Sequence, residues 1–233
     1  MSDSNTRIGV VFDMDGVLVD SAEPHFRSWQ LLGAGNAVDV SREQFSSTFG
    51  RQNNDIVPLL FGEVSPERLR QLSDRKEILY RDLIHAQVPI VDGAPELVRS
   101  LHAAGVAVGV GSSGPLANIR MVLEAMAIQD CISAIVSGDD VTRGKPHPEV
   151  FSLTFAKMGI DPARGVIIED APVGVQAARV AGAYVVAVLI YHPREAFDQA
   201  DCFVDRLSRV SVAQLTSLLQ RPRQANSPFG RSD

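Results

Sequence analysis

The chain predicts an α/β fold in which a doubly wound parallel sheet is interrupted by one inserted helical segment. Three observations carry this prediction. Short Val- and Ile-rich runs recur along the sequence, helix-period segments separate them, and a single interval, residues 21–90, breaks the alternation. Runs that are apolar on both faces belong to strands covered on both sides, and such strands are parallel ones joined by helical crossovers.

In chain order, Ile8–Phe12, Val106–Gly111, Ile132–Ser137, Val166–Glu169, Tyr184–Leu189 and a weaker Cys202–Val204 read as strands. Pro95–Ala104, Leu116–Ala127, Pro148–Met158 and Val173–Ala181 read as helices, several closed by a glycine: Gly105, Gly159 and Gly182. The interval between the first two strands has helical period. Ser41-Arg-Glu-Gln44 is a capping box, and Ser65-Pro66-Glu67 is an N-cap with proline at the first helical position. Beyond it, Leu69, Leu72, Leu79 and Leu83 make one apolar stripe. The expected division is a core of residues 1–20 and 91–220, a helical cap of 21–90, and a polar, turn-rich tail of 221–233 expected to be disordered. No internal repeat is present.

Composition removes several classes of function. A chain of 233 residues, 45% hydrophobic and 21% charged, can bury a real core. Its formal charge of -6, from 22 Lys+Arg against 28 Asp+Glu, argues against a protein that neutralises nucleic-acid phosphates. The two cysteines, Cys131 and Cys202, have no C-x-x-C spacing and no histidine cluster, so neither a zinc site nor a disulfide framework is expected. They read as reduced, buried thiols. Met1–Thr6 is polar and runs into an apolar stretch about half as long as a signal-peptide core, and the longest apolar run, Tyr184–Tyr191, is far below the ~20 residues that span a bilayer. The expectation is a cytoplasmic protein with no nucleic-acid or membrane partner. Nothing in the sequence signals an oligomeric state.

The chemistry is concentrated at the carboxyl ends of the expected strands, where open parallel sheets bind ligands. The first strand ends in Asp13-Met14-Asp15-Gly16-Val17, which aims two acids into one crevice, with Gly16 permitting the sharp exit. Taken alone it is an ordinary strand-end turn. The second ends in Ser112-Ser113-Gly114 at a helix start, where hydroxyls and backbone N–H groups suit an anion. Lys145 lies in the loop Arg143–Pro148 after the third strand, and the fourth ends in Glu169-Asp170. Acid, hydroxyl, cation and acid in one layer form a constellation that none of the four makes alone.

With these motifs the sequence resembles the haloacid dehalogenase superfamily, in the helical-cap branch that holds phosphoglycolate phosphatase-like and β-phosphoglucomutase-like proteins. Asp13-Met-Asp15-Gly-Val is similar to its first motif, Ser112 to its second, Lys145 to its third and Glu169-Asp170 to its fourth, and the likeness runs from Ile8 to about Leu189. The resemblance implies a Rossmann-like core and a magnesium ion held by Asp13, Asp170 and the main-chain oxygen of Asp15, with Glu169 acting through water. It implies that Asp13 attacks phosphorus, that Asp15 is general acid and then base, and that Lys145, Ser112 and Ser113 hold the phosphoryl oxygens. Asp20-Ser-Ala-Glu-Pro-His25 is similar to the mutase segment D-T-A-E-Y-H, which makes His25 a candidate gate of the general acid. Lys76 matches a substrate-facing cap lysine.

One departure bears on the reaction. Where the mutases carry a basic K-G-x-x-R pattern for a second phosphate, this chain reads Phe49-Gly50-Arg51-Gln52-Asn53, leaving Arg51 and Asn53 as candidate substrate contacts. The implied function is a magnesium-dependent phosphatase for a small phosphorylated metabolite, a sugar phosphate or short organic phosphate. The rivals are a β-phosphoglucomutase-like phosphomutase and a non-enzymatic phosphoacceptor. Receiver-type phosphoacceptors are about half this length and lack a large helical cap. Halide displacement needs neither magnesium nor the acid that Asp15 offers.

Overall fold

A computed structural model describes residues 7–220 of the chain. Strands β1 (Gly9–Phe12), β2 (Ala107–Gly111), β3 (Ala134–Val136), β4 (Gly165–Glu169), β5 (Tyr184–Val188) and β6 (Cys202–Val204) form one sheet in the order β3-β2-β1-β4-β5-β6. All five pairings are parallel. The order reverses between β1 and β4, so the ligand crevice of a doubly wound sheet falls at the carboxyl end of β1.

The sheet is buried on both faces, as the unbroken apolar runs require. Val10 and Phe12 point into one cluster with α5 (Ala94–Ala103), α6 (Leu116–Met126) and α9 (Val212–Leu218). Val11, one residue between them, points into the other, with α7 (Glu149–Met158) and α8 (Pro172–Ala181). Every residue of β1, β2, β4 and β5 is buried.

Between β1 and α5 the chain builds α1 (Ala22–Ala34), α2 (Arg42–Thr48), α3 (Asn53–Phe61) and α4 (Pro66–Ile84), which share a third apolar cluster around Trp29, Phe45, Val57 and Leu72. Both local start signals form. Ser41 and Gln44 make the reciprocal capping box, and the Ser65 hydroxyl accepts from the Arg68 N–H.

Four expectations need correction. Leu83 is 42% exposed, because the buried face of α4 runs through Leu72, Lys76, Tyr80 and Ile84, and Leu83 lies off it. Both thiols are partly exposed rather than buried. Strand β3 is shorter than its apolar run, because this edge strand pairs with β2 only through Ala134–Val136 against Gly109–Gly111. Helix α9, absent from the reading of the sequence, is started by a Ser211–Gln214 capping box and buries Leu215 and Leu218. The expectation for the tail falls on residues outside those described. No helix among the described residues is long and apolar enough to cross a membrane.

Candidate active site

The sheet register sets the site. Phe12 pairs with Val110 on one side and Ile168 on the other, so Asp13, Ser112 and Asp170, which follow the strands, and Glu169, the last residue of β4, emerge near one height. Gly16 makes the exit from β1 possible: its φ is +72°, and a Cβ there would lie 1.9 Å from Asp170 Oδ2.

Lys145 reaches into this layer from the loop before α7. Its Nζ donates to Asp13 Oδ1 at 2.8 Å and to Glu169 Oε1 at 2.6 Å, and all three side chains are buried. The second Glu169 oxygen accepts from the Ala171 N–H at 2.6 Å, so Glu169 is fully engaged in orienting the lysine and the entry to α8. Burial pushes the Lys145 ammonium down, but Asp13 and Glu169 outweigh it and hold the ammonium above its ordinary range.

The acids outnumber this one cation. Asp13, Glu169 and Asp170 each present an oxygen within 4.8 Å of the others. The Asp13 carboxyl is raised to about 7: burial pushes it up most, Lys145 opposes, and Glu169 and Asp15 add to the rise. Asp170 is raised well above the usual carboxylate range by burial and then by Glu169 and Asp13. Asp170 Oδ2 is buried and has no hydrogen-bond partner among the described residues. A hard divalent cation with oxygen ligands fits this donor set, relieves the crowding of like charge, and gives the orphaned oxygen a partner.

Asp15 faces the helical segment instead. Its Oδ1 accepts from Ser21 Oγ at 2.6 Å and from His25 Nε2 at 2.9 Å. Lys76 Nζ lies 2.7 Å from His25 Nδ1, so the ring bridges Lys76 and Asp15. The His25 ring stacks on Tyr80 with centroids 3.8 Å apart. Burial pushes the Asp15 carboxyl up, but His25, Ser21 and the more distant Lys76 outweigh it and hold the carboxyl below its usual range.

From Lys76 the polar chain continues into the core. Lys76 Nζ also donates to Glu77 Oε1 at 2.8 Å, which accepts from Asn53 Nδ2 at 2.8 Å as well. The other oxygen, Glu77 Oε2, accepts from Asn118 Nδ2 of α6 at 2.6 Å, and Asn118 Oδ1 accepts from Arg81 at 2.9 Å. Ser113 Oγ donates to the Gly50 carbonyl at 3.1 Å, and Gln52 to the Gly138 carbonyl at 3.3 Å. The helical segment is therefore closed over the strand ends.

About 490 Å³ of space lies between the two, reaching from Asp13 and Asp15 to a wall of Trp29, Phe45, Phe49 and Ile56. His25, Asn53, Lys76 and the exposed Arg51 also face it. The residues expected from the sequence thus divide. Asp13, Lys145, Glu169 and Asp170 form one cluster, and Asp15, His25 and Lys76 form a chain beside it. The two serines differ: Ser112 Oγ accepts from the Gly114 N–H, a bond that does not use its own proton, whereas Ser113 spends its proton on the Gly50 carbonyl. Glu77, Asn118 and the aromatic wall were not singled out from the sequence.

A crevice at the switch point of a parallel sheet, with paired acids and a buried lysine beneath a helical lid, defines a capped α/β enzyme of the hydrolase type. The sequence profile of the haloacid dehalogenase-like hydrolases matches residues 10–188, and the chain belongs to that family. It is 28% identical over 201 residues to validoxylamine A 7'-phosphate phosphatase of Streptomyces hygroscopicus subsp. limoneus, covering 86% of this chain and 94% of that protein. It is 32% identical over 180 residues to fructose-1-phosphate phosphatase YqaB of Escherichia coli (strain K12), covering 75% and 92%. The crystal structure of β-phosphoglucomutase from Clostridium difficile superposes with a TM-score of 0.82 at 22% identity, over 92% of this chain and 97% of that one.

Proposed function

We propose that this protein is a cytoplasmic, magnesium-dependent phosphatase that hydrolyses a small phosphorylated metabolite through a phospho-Asp13 intermediate. One observation carries the reading. Lys145 Nζ bridges Asp13 Oδ1 and Glu169 Oε1 in a buried layer where a third acid, Asp170, has an oxygen without a partner. A carboxylate so placed is a nucleophile beside a fixed positive charge.

Magnesium, held by Asp13, Asp170 and the main-chain oxygen of Asp15, with Glu169 acting through water, would supply further positive charge against the phosphoryl oxygens. The free Asp13 oxygen attacks phosphorus as the bond to the ester oxygen breaks, and Lys145 offsets the charge on the transferring group. Asp15 donates its proton to the departing alkoxide. In the second half it takes a proton from the water that attacks the aspartyl-phosphate, releasing phosphate and restoring both acids. The depressed Asp15 carboxyl suits the base step; for the acid step the bound phosphoryl dianion, a like charge beside it, raises the carboxyl so that it carries the proton it delivers. Ser112 and the N–H groups after it would hold phosphoryl oxygens.

Hydrolysis rather than transfer back to substrate is supported at the cap. Lys76 is paired with Glu77 and also contacts His25, so a carboxylate already balances the charge that a second phosphate would need. The phosphomutase reading rests on Arg51, the one guanidinium facing the cavity among the described residues. Supplying β-glucose 1-phosphate separates the two: free phosphate supports the phosphatase, and glucose 6-phosphate with little phosphate released supports the mutase. Asp13→Asn lowers turnover at least ~10³-fold, because nucleophile and partners act as a unit. EDTA abolishes turnover in the wild type and magnesium restores it. Magnesium-dependent turnover by folded Asp13→Asn would sink the proposal.

A further inference from the structure

The cavity above Asp13 does not stand alone. Little of it is wider than a water molecule. Beside it a wider cleft, about 970 Å³ including the solvent it opens onto, lies between α3 and α4 on one side and the turns after β2 and β3 on the other. The two spaces share Asn53, Glu77 and Ser113 in their walls, and the Asn53–Glu77 hydrogen bond lies in that shared wall.

The lining of the cleft restricts what it can hold. Asp74 and Asp139 outnumber Arg70, and Glu77 is already paired with Lys76, so the cleft disfavours a second anionic group. Asn53 and Asn54 add amides, each with donors and an acceptor, and Leu69 and Pro115 add small apolar faces. Amides, carboxylates and scattered apolar surface match the hydroxyls and C–H faces of a neutral polyol.

We propose that this cleft is a second substrate subsite and that the substrate is a phosphorylated disaccharide or a polyol of that size. The proposal rests on the phosphatase reading. The phosphoryl group and the carbon bearing it occupy the narrow end at Asp13. The rest of the leaving alcohol passes between Asn53 and Ser113, and its second ring lies against Asn54, Arg70 and Asp74. Hydroxyls of the ring at the junction replace the Asn53–Glu77 bond.

The test measures phosphate release with magnesium from trehalose 6-phosphate, sucrose 6-phosphate and maltose 6'-phosphate against glucose 6-phosphate and fructose 1-phosphate, with p-nitrophenyl phosphate as a small ester. Asn54→Trp and Arg70→Trp obstruct the cleft from α3 and α4, and both positions are exposed, so each tests the cleft if the other fails to fold. The expected result is a kcat/KM at least tenfold higher for the best disaccharide phosphate than for the best hexose phosphate, a ratio that falls at least tenfold in either variant. A ratio near or below one overturns the proposal, as does a high ratio that both variants leave intact. If p-nitrophenyl phosphate is hydrolysed while these results fail, the cleft alone is at fault. If no ester is hydrolysed, the phosphatase reading falls and the subsite with it.

Discussion

Lys145 brings a single positive charge to a layer of three buried acids, and two of them, Asp13 and Glu169, share it directly. Removing one member of a buried ion cluster leaves the others uncompensated, at a cost of about 3–5 kcal/mol. Lys145→Ala is therefore expected to lose about that much in urea unfolding measured in EDTA, and to regain part of it when magnesium is added. Unfolding at the wild-type midpoint in EDTA would refute this charge balance. The three acids were legible in the sequence because they stand where apolar runs end, and sheet logic carries strand ends to one crevice, whereas Lys145 sits in a loop well beyond β3 and was picked out by its motif. Glu77 was not. It stands inside a helix beside Lys76, and its burial depends on Asn118, distant in sequence. Burial pushes Glu77 up, but Lys76, His25 and Asn53 outweigh it and hold the carboxyl below its ordinary 4.5. A depressed carboxyl stabilises the fold fully above its unfolded value and loses that contribution as pH falls through the folded one. Glu77→Gln should therefore melt below the wild type at pH 7, and the gap should narrow from pH 5 toward pH 3. A gap independent of pH would remove the ionised carboxylate from the account.

Helix α4 shows how an element can be recognised while its facing is misread. Its start was written locally, in Ser65 and Pro66, and caps need only neighbours three residues away. Its inward face was not local. Counting leucines gave Leu83 a place in the stripe, but docking on α1 and the polar chain turned Leu72, Lys76, Tyr80 and Ile84 inward, a lysine at a position where apolar pattern would place a hydrophobe. The two leucines should separate on truncation. Leu72→Ala removes a buried side chain and is expected to cost about 2–5 kcal/mol, whereas Leu83→Ala stays within about 0.5 kcal/mol of wild type. Equal losses in chemical denaturation would return Leu83 to the core. Helix α9 escaped for a related reason: Val212–Leu218 spans about two turns, too short for helical period to stand out, and its stability comes from Leu215 and Leu218 against the sheet layer.

At the scale of the whole molecule, the helical segment and the sheet meet through few polar contacts, and the most buried of them passes through Asn118. This fully buried side chain donates to Glu77 Oε2 and accepts from Arg81, so it ties α6 to α4 from both ends of its amide. Glu77 in turn holds Lys76, Lys76 holds His25, and His25 donates to Asp15. Closure of the cap and placement of the proposed general acid are thus two ends of one hydrogen-bonded chain. Asn118→Ala would leave a buried carboxylate oxygen without its donor, at about 1–3 kcal/mol. The loss should fall on the closed arrangement rather than on the sheet, because an opened cap returns Glu77 to water. The expected result is a fall in kcat/KM of roughly 5–160-fold for any phosphate ester, the same free energy expressed as rate, together with faster proteolysis within residues 21–90. Magnesium affinity should hold at the wild-type value, since Asp13 and Asp170 lie on the sheet side of the cavity. A variant that lost magnesium affinity and resistance to urea in equal measure would show that Asn118 supports the core itself, and would sever the link from cap closure to Asp15.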